Sequence, residues 1–504
     1  MEVCHTADIL GSPAAQRLRQ FVHNREGVWQ SGTPDFEAFE RELHEQVMAL
    51  ERELVTAELA RYDVAAEHIE VAGVVYHPVL TAAETYLSAA GPVRVERHLY
   101  RPTGRNAKSL CPLELRAGIV AGYWTPRAAR QGAFVMAHLT SGEAEALFDE
   151  LGALRPSRSS LDRLPRDLSA QWEVHRPEWE AALREQETVA SEAAVVALSV
   201  DGVMVAMKSQ AQQRTAKRCQ PGKHASGPAG HREVGCGTVS LYDREGERRD
   251  TVRYARMPEH KKVTLQQQIQ AETQALCTRR PDLQRVHLAD GAEGNWQLLA
   301  DIETALGRSA ETWVEIVDFY HACDHLKNGC DAVWGESTPR SQAEFLRLKT
   351  LLKEQDGGAD RILRTFKHHA SRSRGHRQRR IQTELTYFRK QRARMDYADY
   401  QRQHLPIGSG VVEAACKTLV TQRLKGSGMA WSPAGGQAML TLRSLIQSNR
   451  WPRAWALVSA AFRQSVRELC ASHPEHTLVE SIPPAERLIA PPPIAPYAAL
   501  PLAV

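Results

Sequence analysis

The sequence lacks any long hydrophobic run: none of its segments approaches the roughly 18–20 uninterrupted apolar residues needed to span a lipid bilayer. The N-terminal residues also lack a basic stretch followed by an apolar one, so they carry no secretory signal pattern. The nine cysteines form no Cys-x-x-Cys pair, and without a signal they favour reduced thiols over a disulfide framework. We therefore expect a cytoplasmic protein that makes no membrane contact.

A zinc site is the alternative for some of these cysteines, although its spacing fits no recurrent zinc-binding pattern. Its ligand types would come from Cys219, His224, His231 and Cys236. The sequence favours free thiols and leaves this alternative open.

A large excess of one charge is also missing, because the net charge is only +4. The distribution is more informative. Residues 361–394 hold twelve Lys or Arg against one acid, Glu384, together with three histidines. Such a run is either a solvated face or flexible arm, or, inside a folded enzyme, a contact for the phosphate backbone of a nucleic acid. The run alone does not decide between these readings.

The N-terminal third is predicted to be mostly helical. Residues 34–63 have apolar positions spaced three to four apart, which is typical of an amphipathic helix. We assign 1–68 to a helical region, and its long helix either packs on its own domain or forms a short coiled coil with a second copy. Residues 69–101 alternate as strands do and predict a small β unit.

A helix-turn-helix motif is predicted at the end of the region 69–170. A helix beginning near Ser141 is followed by a break at 152–156 and a second helix from Ser157. The second element carries the cations Arg158, Arg163 and Arg166. Any helical hairpin has this pattern, so the alternative to DNA binding is a structural pair of helices. Residues 171–193 read as a polar connecting helix.

From residue 194 the pattern changes to short apolar runs that alternate with helices. The predicted order over 194–319 is β-β-β-α-β-α-β, in which three meandering strands are followed by crossovers that return a strand beside the first. This is the order of the ribonuclease H-like fold. The fold class that we predict is therefore α/β.

Two aspartates follow apolar strands in this region. Asp201 and Asp290 each come directly after such a run and directly before a glycine. If the strands pair as their order suggests, both carboxylates emerge at one edge of a sheet. The alternative for each is a turn-capping role, which is common for Asp at a strand end.

A third acid, Glu413, is predicted in the first turn of a helix that begins at Ser409 or Gly410. Lys417 lies one turn further on, and a surface Glu–Lys pair is the alternative role for this glutamate. Chemistry favours grouping the acids, because phosphodiester cleavage by two divalent ions roughly 4 Å apart needs several carboxylate oxygens in one place. Two acids on strands and one on a helix satisfy that need.

With these residues identified, the chain resembles DDE transposases of bacterial insertion sequences, in particular the ISKra type, which are relatives of the Mutator-like group. The resemblance covers about 190–450 well. Its matching blocks are LSVDGVMV around Asp201, VHLADGAEGNW around Asp290, IVDFYHACDHL, and LPIGSGVVEAACKTLVTQRLKGSGMAW around Glu413.

The resemblance implies a ribonuclease H-like catalytic core that is interrupted by a helical insertion, with a mostly helical N-terminal DNA-binding region. The core would be 194–319 and 406–470, the basic insertion 320–405, and the proline-rich segment 471–504 an extended tail. The family binds two Mg²⁺ ions, for which Mn²⁺ substitutes, through its three acids, here Asp201, Asp290 and Glu413. Its partner is double-stranded DNA, both the terminal repeats of the element and the target. The chain would act as a homo-oligomer on DNA and be associated with the bacterial nucleoid.

Further residues take roles by the same resemblance. Asp318 and His321 match an Asp-x-x-His signature and would support catalysis, whereas the alternative for His321 is a structural role at a strand-to-helix junction. Trp431 would stack on a base or belong to the core. The family often has a cysteine-rich N-terminal segment, which is absent around Cys111. Phosphate contacts are expected from Lys417, Arg423 and Lys425.

Two other functions stay open beside the transposase. The first is a ribonuclease H-like nuclease or junction resolvase, which would share the acids but would not transfer a strand. The second is a non-catalytic, domesticated DNA-binding copy. The intact acids and their flanking blocks speak against the second.

Overall fold

The computed structural model describes residues 11–30, 33, 35–104, 108–208, 230–307 and 313–469. None of the helices in these ranges combines the length and the apolar character needed to cross a membrane. The chain divides into two compact units, Met1–Ala128 with Ser459–Val504, and Ala129–Val458. The predicted tail 471–504 and the zinc-site residues Cys219 and His224 lie outside the described residues.

The first unit is built on a four-stranded antiparallel sheet in the order β3-β2-β1-β9. Ala72 and Gly73 both have positive φ, 51° and 78°, which suits the two-residue hairpin between β1 and β2. The predicted β unit is therefore present, with longer strands than expected. Its elements are α1 (Pro13–His23), α2 (Arg25–Gln30), α3 (Phe36–Ala60), β1 (His68–Val71), β2 (Val74–Ser88), β3 (Gly91–Pro102), α4 (Pro112–Ala117) and β9 (Arg467–Leu469).

The amphipathic helix that the sequence predicts is α3. Asp35 caps it by accepting the backbone N–H of Glu37. Its last turns are anchored through Val55 and the buried Leu59 in the apolar cluster on β3, and its first turn stacks Phe39 on Phe21 of α1. Phe36 at the other end is 65% exposed. Contact with a second copy through this helix stays a prediction.

The region predicted as a helix-turn-helix contains two helices, α6 (Ser141–Leu151) and α7 (Arg158–Glu185), after α5 (Pro126–His138). Thr140 and Glu143 form a capping box at the start of α6. The prediction of a short second helix and a separate connecting helix over 171–193 is wrong, because α7 is one helix of 28 residues. One buried face runs through it and outweighs the prolines inside it: Leu161, Leu164, Leu168, Trp172, Trp179 and Leu183.

The second unit contains a five-stranded sheet in the order β6-β5-β4-β7-β8. β4, β5 and β6 are antiparallel neighbours, whereas β7 pairs parallel with β4, and β8 pairs parallel with β7. The predicted order of elements is thus observed, and the α/β arrangement is compatible with a ribonuclease H-like core. The elements are β4 (Val195–Ala206), β5 (His231–Tyr242), β6 (Arg248–Arg256), α8 (Val263–Arg279), β7 (Gln284–Ala289), α9 (Glu293–Leu306) and β8 (Val314–Val317).

The segment between the second aspartate and the glutamate is helical, as predicted for 320–405. Its apolar faces join the core of the five-stranded sheet; Phe366 and Phe388, for example, are fully buried there. The helices are α10 (Phe319–Trp334), α11 (Pro339–Glu354), α12 (Gly358–Ser371), α13 (Gly375–Gln391) and α14 (Tyr397–Arg402).

The chain then returns to the sheet with the glutamate. A short α-helix passes directly into a wider π-helical turn over Cys416–Thr421. Val412, Cys416 and Leu419 pack on the face of β4 and β5 with Val205 and Val234. The remaining helices are α15 (Gly410–Ala415), α16 (Gln422–Leu424), α17 (Pro433–Gln447) and α18 (Trp451–Ala461).

Candidate carboxylate site

The two aspartates occupy equivalent positions on neighbouring parallel strands. The register of β4 and β7 pairs Val195 with Gln284 and Ser199 with Leu288. Carried two positions further, it sets Asp201 beside Asp290. Adjacent strands lie about 4.8 Å apart, and directly paired residues point to the same face of a sheet. The sheet therefore brings the two carboxylates together, as the sequence predicts.

Asp201 differs from the prediction in one respect: it is not at a strand end. β4 continues to Ala206 because residues 202–206 keep pairing with β5 on the other side. It is the shorter neighbour, β7, that ends at Ala289. Asp201 thus lies where its parallel partner stops, which leaves it only partly buried.

Asp290 is fixed by the loop that follows β7. Its Oδ1 accepts the backbone N–H of Ala292 at 3.0 Å and the side-chain amide of Asn295 at 3.1 Å. Gly291 turns the chain with φ 96°. A side chain there would meet the Tyr387 ring, because a Cβ added to the glycine would lie 3.2 Å from a carbon of that ring. Burial raises the pKa of Tyr387, and the charges of Asp290 and Asp318 add to this.

Glu413 lies in the first turn of α15, as predicted, and is exposed. Its Oε1 accepts the hydroxyl of Ser409 at 2.9 Å. The carboxylate is therefore held at the start of its own helix. The surface pair with Lys417, which was the alternative role, is not the contact that this glutamate makes.

The helix of Glu413 reaches Asp201 through a cysteine. Cys416, three residues after the glutamate, is buried and has its Sγ 3.5 Å from Oδ2 of Asp201. Cys236 lies opposite Asp201 on β5 and hydrogen-bonds with Cys416, which raises the pKa of the Cys416 thiol. The thiols fill the space between the helix and the sheet beside the carboxylate.

The pKa of Asp201 also indicates that Asp290 and Glu413 lie near it. Burial raises the pKa of Asp201, and the negative charges of Asp290 and Glu413 raise it further. Both carboxylates are thus near enough to act on Asp201. Oxygen-only donors with mutual repulsion are the kind of set that a hard divalent cation neutralises.

The described part of the chain holds no preassembled metal cluster. Within the described ranges, no three or more His, Cys, Asp or Glu side chains are placed to hold a metal ion together. This includes His231 and Cys236 of the zinc alternative. The exposed Glu413 is held by Ser409 through one of its two oxygens in this arrangement.

Asp318 connects the sheet to the glutamate helix. It is fully buried and caps α10 by accepting the backbone N–H of His321 at 2.5 Å. Its other oxygen accepts the backbone N–H of Ser409. Asp318 thus links the end of β8 to the start of the glutamate helix, and the ring of His321 lies 5.3 Å from that of His325 and near Tyr387. Catalytic support by Asp318 and His321 stays a prediction.

The predicted DNA-contacting cations fall into two groups. Arg158, Arg163, Arg166, Lys417 and Lys425 are exposed. Arg423 is only 5% exposed, donates to the carbonyl of Met136 at 3.3 Å and lies over the Trp431 ring at 5.3 Å. In this structure Arg423 is therefore a buried residue and not a surface cation.

Trp431 packs with the core in this structure, which is one of the two roles predicted for it. Its indole N–H donates to the carbonyl of Leu424 at 2.9 Å, and its ring packs against the apolar cluster behind the glutamate helix. Its backbone is also hydrogen-bonded to Ala206 and Lys208 at the end of β4.

Sequence reasoning missed several residues of this site. Asn295, Ser409 and Cys416 each touch one of the three acids, and Lys262 lies within reach of Asn295. Asn295 and Cys416 stand within the blocks around the acids, so their positions were a usable signal. Lys262 had no such signal, because it comes from a turn far from any of those blocks.

No family model and no curated protein matches the sequence. Among solved structures, the Drosophila P element transposase strand transfer complex is similar over 64% of this chain and 79% of that chain, with 10% identity and a TM-score of 0.25. A likeness of this size supports no argument about the fold or the function of the chain.

Proposed function

We propose that the chain is a DDE-type transposase that binds the terminal repeats of its element, cleaves phosphodiester bonds and joins the 3′-hydroxyl end to target DNA. One observation carries the proposal. The register of β4 and β7, carried two positions further, sets Asp201 beside Asp290, which directly follows β7, and the helix of Glu413 reaches Asp201 through Cys416. Three elements from distant parts of the sequence, each with one of the proposed carboxylates, thus meet at this part of the sheet, which supports the proposal.

Asp201, Asp290 and Glu413 would hold the divalent metal ions, Mg²⁺ or its substitute Mn²⁺. When bound, two such ions supply Lewis-acid stabilisation of the attacking and leaving oxygens. Neighbouring residues of the chain orient these three ligands. The loop bonds of Asp290 orient its carboxylate, and Asp318 with Ser409 sets the start of the glutamate helix. The exposed Glu413 completes the set with its second carboxylate oxygen, while the hydroxyl of Ser409 holds the first.

A positive surface suits double-stranded DNA as the partner. The basic run 361–394 forms helices α12 and α13 and their connection, so the flexible-arm reading does not apply. One side of these helices is buried through residues such as Ile362, Phe366 and Leu385. The other side exposes cations that we propose as phosphate contacts: Arg364, Lys367, Arg372, Arg374 and Arg379.

Cleavage assays with the full chain test the catalytic assignment. On a DNA duplex that carries the end of the element, Asp201→Asn, Asp290→Asn and Glu413→Gln should each abolish Mg²⁺-dependent cutting and leave DNA affinity nearly unchanged. Glu293→Gln is the matched control, because Glu293 is an exposed acid near Asp290 that pairs with Lys390. Wild-type cutting by any of the three variants would refute that residue's assignment.

Strand transfer separates the proposal from the nuclease alternative. A labelled, pre-cleaved end incubated with plasmid and Mg²⁺ should become covalently joined to the plasmid. Cutting without joining would instead favour a plain nuclease or resolvase.

Arg158→Ala and Arg163→Ala should weaken binding to end DNA and lower its salt dependence; an unchanged salt slope would remove the helix-turn-helix proposal.

A further inference from the structure

Two consecutive lysines have an unusual backbone conformation in the turn between β6 and α8. Lys261 and Lys262 have φ of 51° and 54°. Left-handed backbone is costly for residues with a Cβ and persists where the surroundings fix it. The two lysines differ in those surroundings, because Lys261 is exposed, whereas the side chain of Lys262 is 22% exposed and held by contacts on two sides.

The contacts of Lys262 connect it to Asp290 through Asn295. Its Nζ lies 2.8 Å from Oε1 of Glu233 and 3.5 Å from Oδ1 of Asn295. Asn295 in turn donates its amide to Asp290 at 3.1 Å. The amide can satisfy both neighbours in one orientation only, with its oxygen towards the ammonium and its nitrogen towards the carboxylate. The position of the lysine charge thus selects the orientation that holds Asp290.

Glycines make room for this arrangement across the sheet. Gly202, next to Asp201, pairs with Gly235 on β5. The side chain of Glu233 covers Gly202 so closely that an added Cβ would lie 1.9 Å from its Oε1. The stem of Lys262 covers Gly235, with its Cδ 3.4 Å from the equivalent position. The ion pair therefore lies over strand positions that adjoin Asp201, on the face of the sheet opposite to the side chain of Asp201.

We infer that Lys262 is a positioning residue of the carboxylate site, which acts through Asn295 to hold Asp290. This inference rests on the proposed function of that site. The ammonium fixes the amide of Asn295, and the amide fixes the angle of the Asp290 carboxylate. Glu233 sets the ammonium in place from the other side.

A cavity beside the ion pair suggests a competing role for Lys262, direct contact with a DNA phosphate. It has a volume of about 270 Å³ and is lined by Arg232, Arg256, Glu259 and Lys262. A DNA phosphate entering it would meet the ammonium directly, in which case Lys262 would be a substrate contact. The two roles predict different effects on DNA affinity, metal affinity and coupling to Asn295.

The first experiment compares Lys262→Met with Lys261→Met, which changes the neighbouring lysine of the same backbone conformation. Lys262→Met should slow Mg²⁺-dependent cleavage roughly 10–100-fold, as removal of partners behind metal ligands does, and Lys261→Met should not. Lys262→Arg should recover part of the rate, because it restores the charge. DNA affinity and its salt slope should stay at the wild-type values; a slope lowered by about one would show a phosphate contact and overturn the inference.

The second experiment needs no catalysis. Mn²⁺ binding to the protein without DNA, followed by electron paramagnetic resonance, should weaken about 10-fold or more in Lys262→Met and in Asn295→Ala. The double variant should be no weaker than either single variant, because both act along one path. Additive losses, or unchanged Mn²⁺ affinity in Lys262→Met, would overturn the inference. If the wild-type protein binds Mn²⁺ but never cuts DNA, the proposed function fails while this comparison remains decisive for Lys262.

Discussion

The buried carboxylate of Asp318 accepts the backbone N–H of Ser409, although 90 residues separate them in the chain. Asp318 is fully buried at the end of β8, and Ser409 directly precedes the helix of Glu413. The hydroxyl of the same serine donates to Glu413 at 2.9 Å. One carboxylate that binds no metal in our proposal thus determines where a proposed metal ligand begins its helix.

Ser409→Ala should reduce cleavage much more than stability. It removes the hydroxyl that holds Glu413 and keeps the backbone bond to Asp318, so the unfolding free energy should fall by only about 0.5–1.5 kcal/mol. The cleavage rate should fall roughly tenfold or more, because Glu413 loses its support. Denaturant unfolding and single-turnover cleavage measure the two effects.

Ser432→Ala is the control for that variant. Ser432 caps α17 by accepting the N–H of Gly435, and its loss should cost a similar amount of stability, about 0.5–2 kcal/mol. Its cleavage rate should stay at the wild-type value. Equal loss of rate in both variants would mean that general destabilisation, rather than Glu413, explains the effect.

Asp318→Asn should lower both stability and activity. The aspartate accepts two backbone N–H groups with its two oxygens, whereas asparagine offers one oxygen and turns an N–H₂ group towards the other donor. A buried N–H without a partner costs about 1–3 kcal/mol of unfolding free energy. Chemical denaturation measures this cost, and an unfolding midpoint equal to that of the wild type would contradict the double-acceptor role.

Asp201→Asn should stabilise the protein without metal at neutral and higher pH while it abolishes cutting. The pKa of Asp201 is raised by burial and by the charges of Asp290 and Glu413, so the folded state binds this proton more tightly than the unfolded chain. That stability is fully present below the unfolded pKa and is lost as pH rises through the folded pKa. The asparagine variant does not ionise and escapes the loss.

Thermal unfolding between pH 4 and pH 8 measures that difference in a metal-free buffer. The wild type should lose more stability with rising pH than Asp201→Asn, and Mg²⁺ should recover more of it in the wild type. Asp301→Asn changes an exposed carboxylate on α9 and should follow the wild type. A variant less stable than the wild type at pH 8 would contradict the repulsion between the acids.

Arg423→Ala and Lys425→Ala should separate a buried cation from a surface one. Arg423→Ala removes a buried guanidinium and its bond to Met136, so it should lower the unfolding free energy by about 1–3 kcal/mol. Lys425→Ala should leave stability within about 0.5 kcal/mol but weaken DNA binding and lower its salt slope by about one. Binding titrations at several salt concentrations decide this, and the reverse pattern would exchange the two roles.

The sequence predicts well those features that repeat locally. The order of strands and helices over 194–319 follows from apolar runs and their spacing, and it is observed. The grouping of Asp201 with Asp290 follows from the same order. Strand limits are less predictable: a strand end is expected at Asp201, because Gly202 weakens a strand, but pairing with β5 carries β4 four residues beyond that glycine.

The remaining features depend on contacts between distant residues. The long helix α7 looks like two helices in the sequence because Pro165 and Pro177 interrupt the polar pattern, whereas burial along one face keeps it continuous. Arg423 resembles a phosphate contact because nothing local shows that its guanidinium is covered. Lys262 carries no signal in the sequence, since its role depends on a turn that brings it across the sheet to Asn295.

The strand β9 is translated long after β1, the strand with which it pairs. Its three residues pair with β1 through contacts such as Ile69 with Glu468, so two neighbouring strands of one sheet come from distant parts of the described chain. A ribosome translates the whole second unit between these two strands. During synthesis the outer edge of β1 therefore remains unpaired until β9 is translated. An unpaired strand edge can pair with the wrong strand. Chains interrupted before residue 467 should be the ones that aggregate through this edge or are removed by proteases.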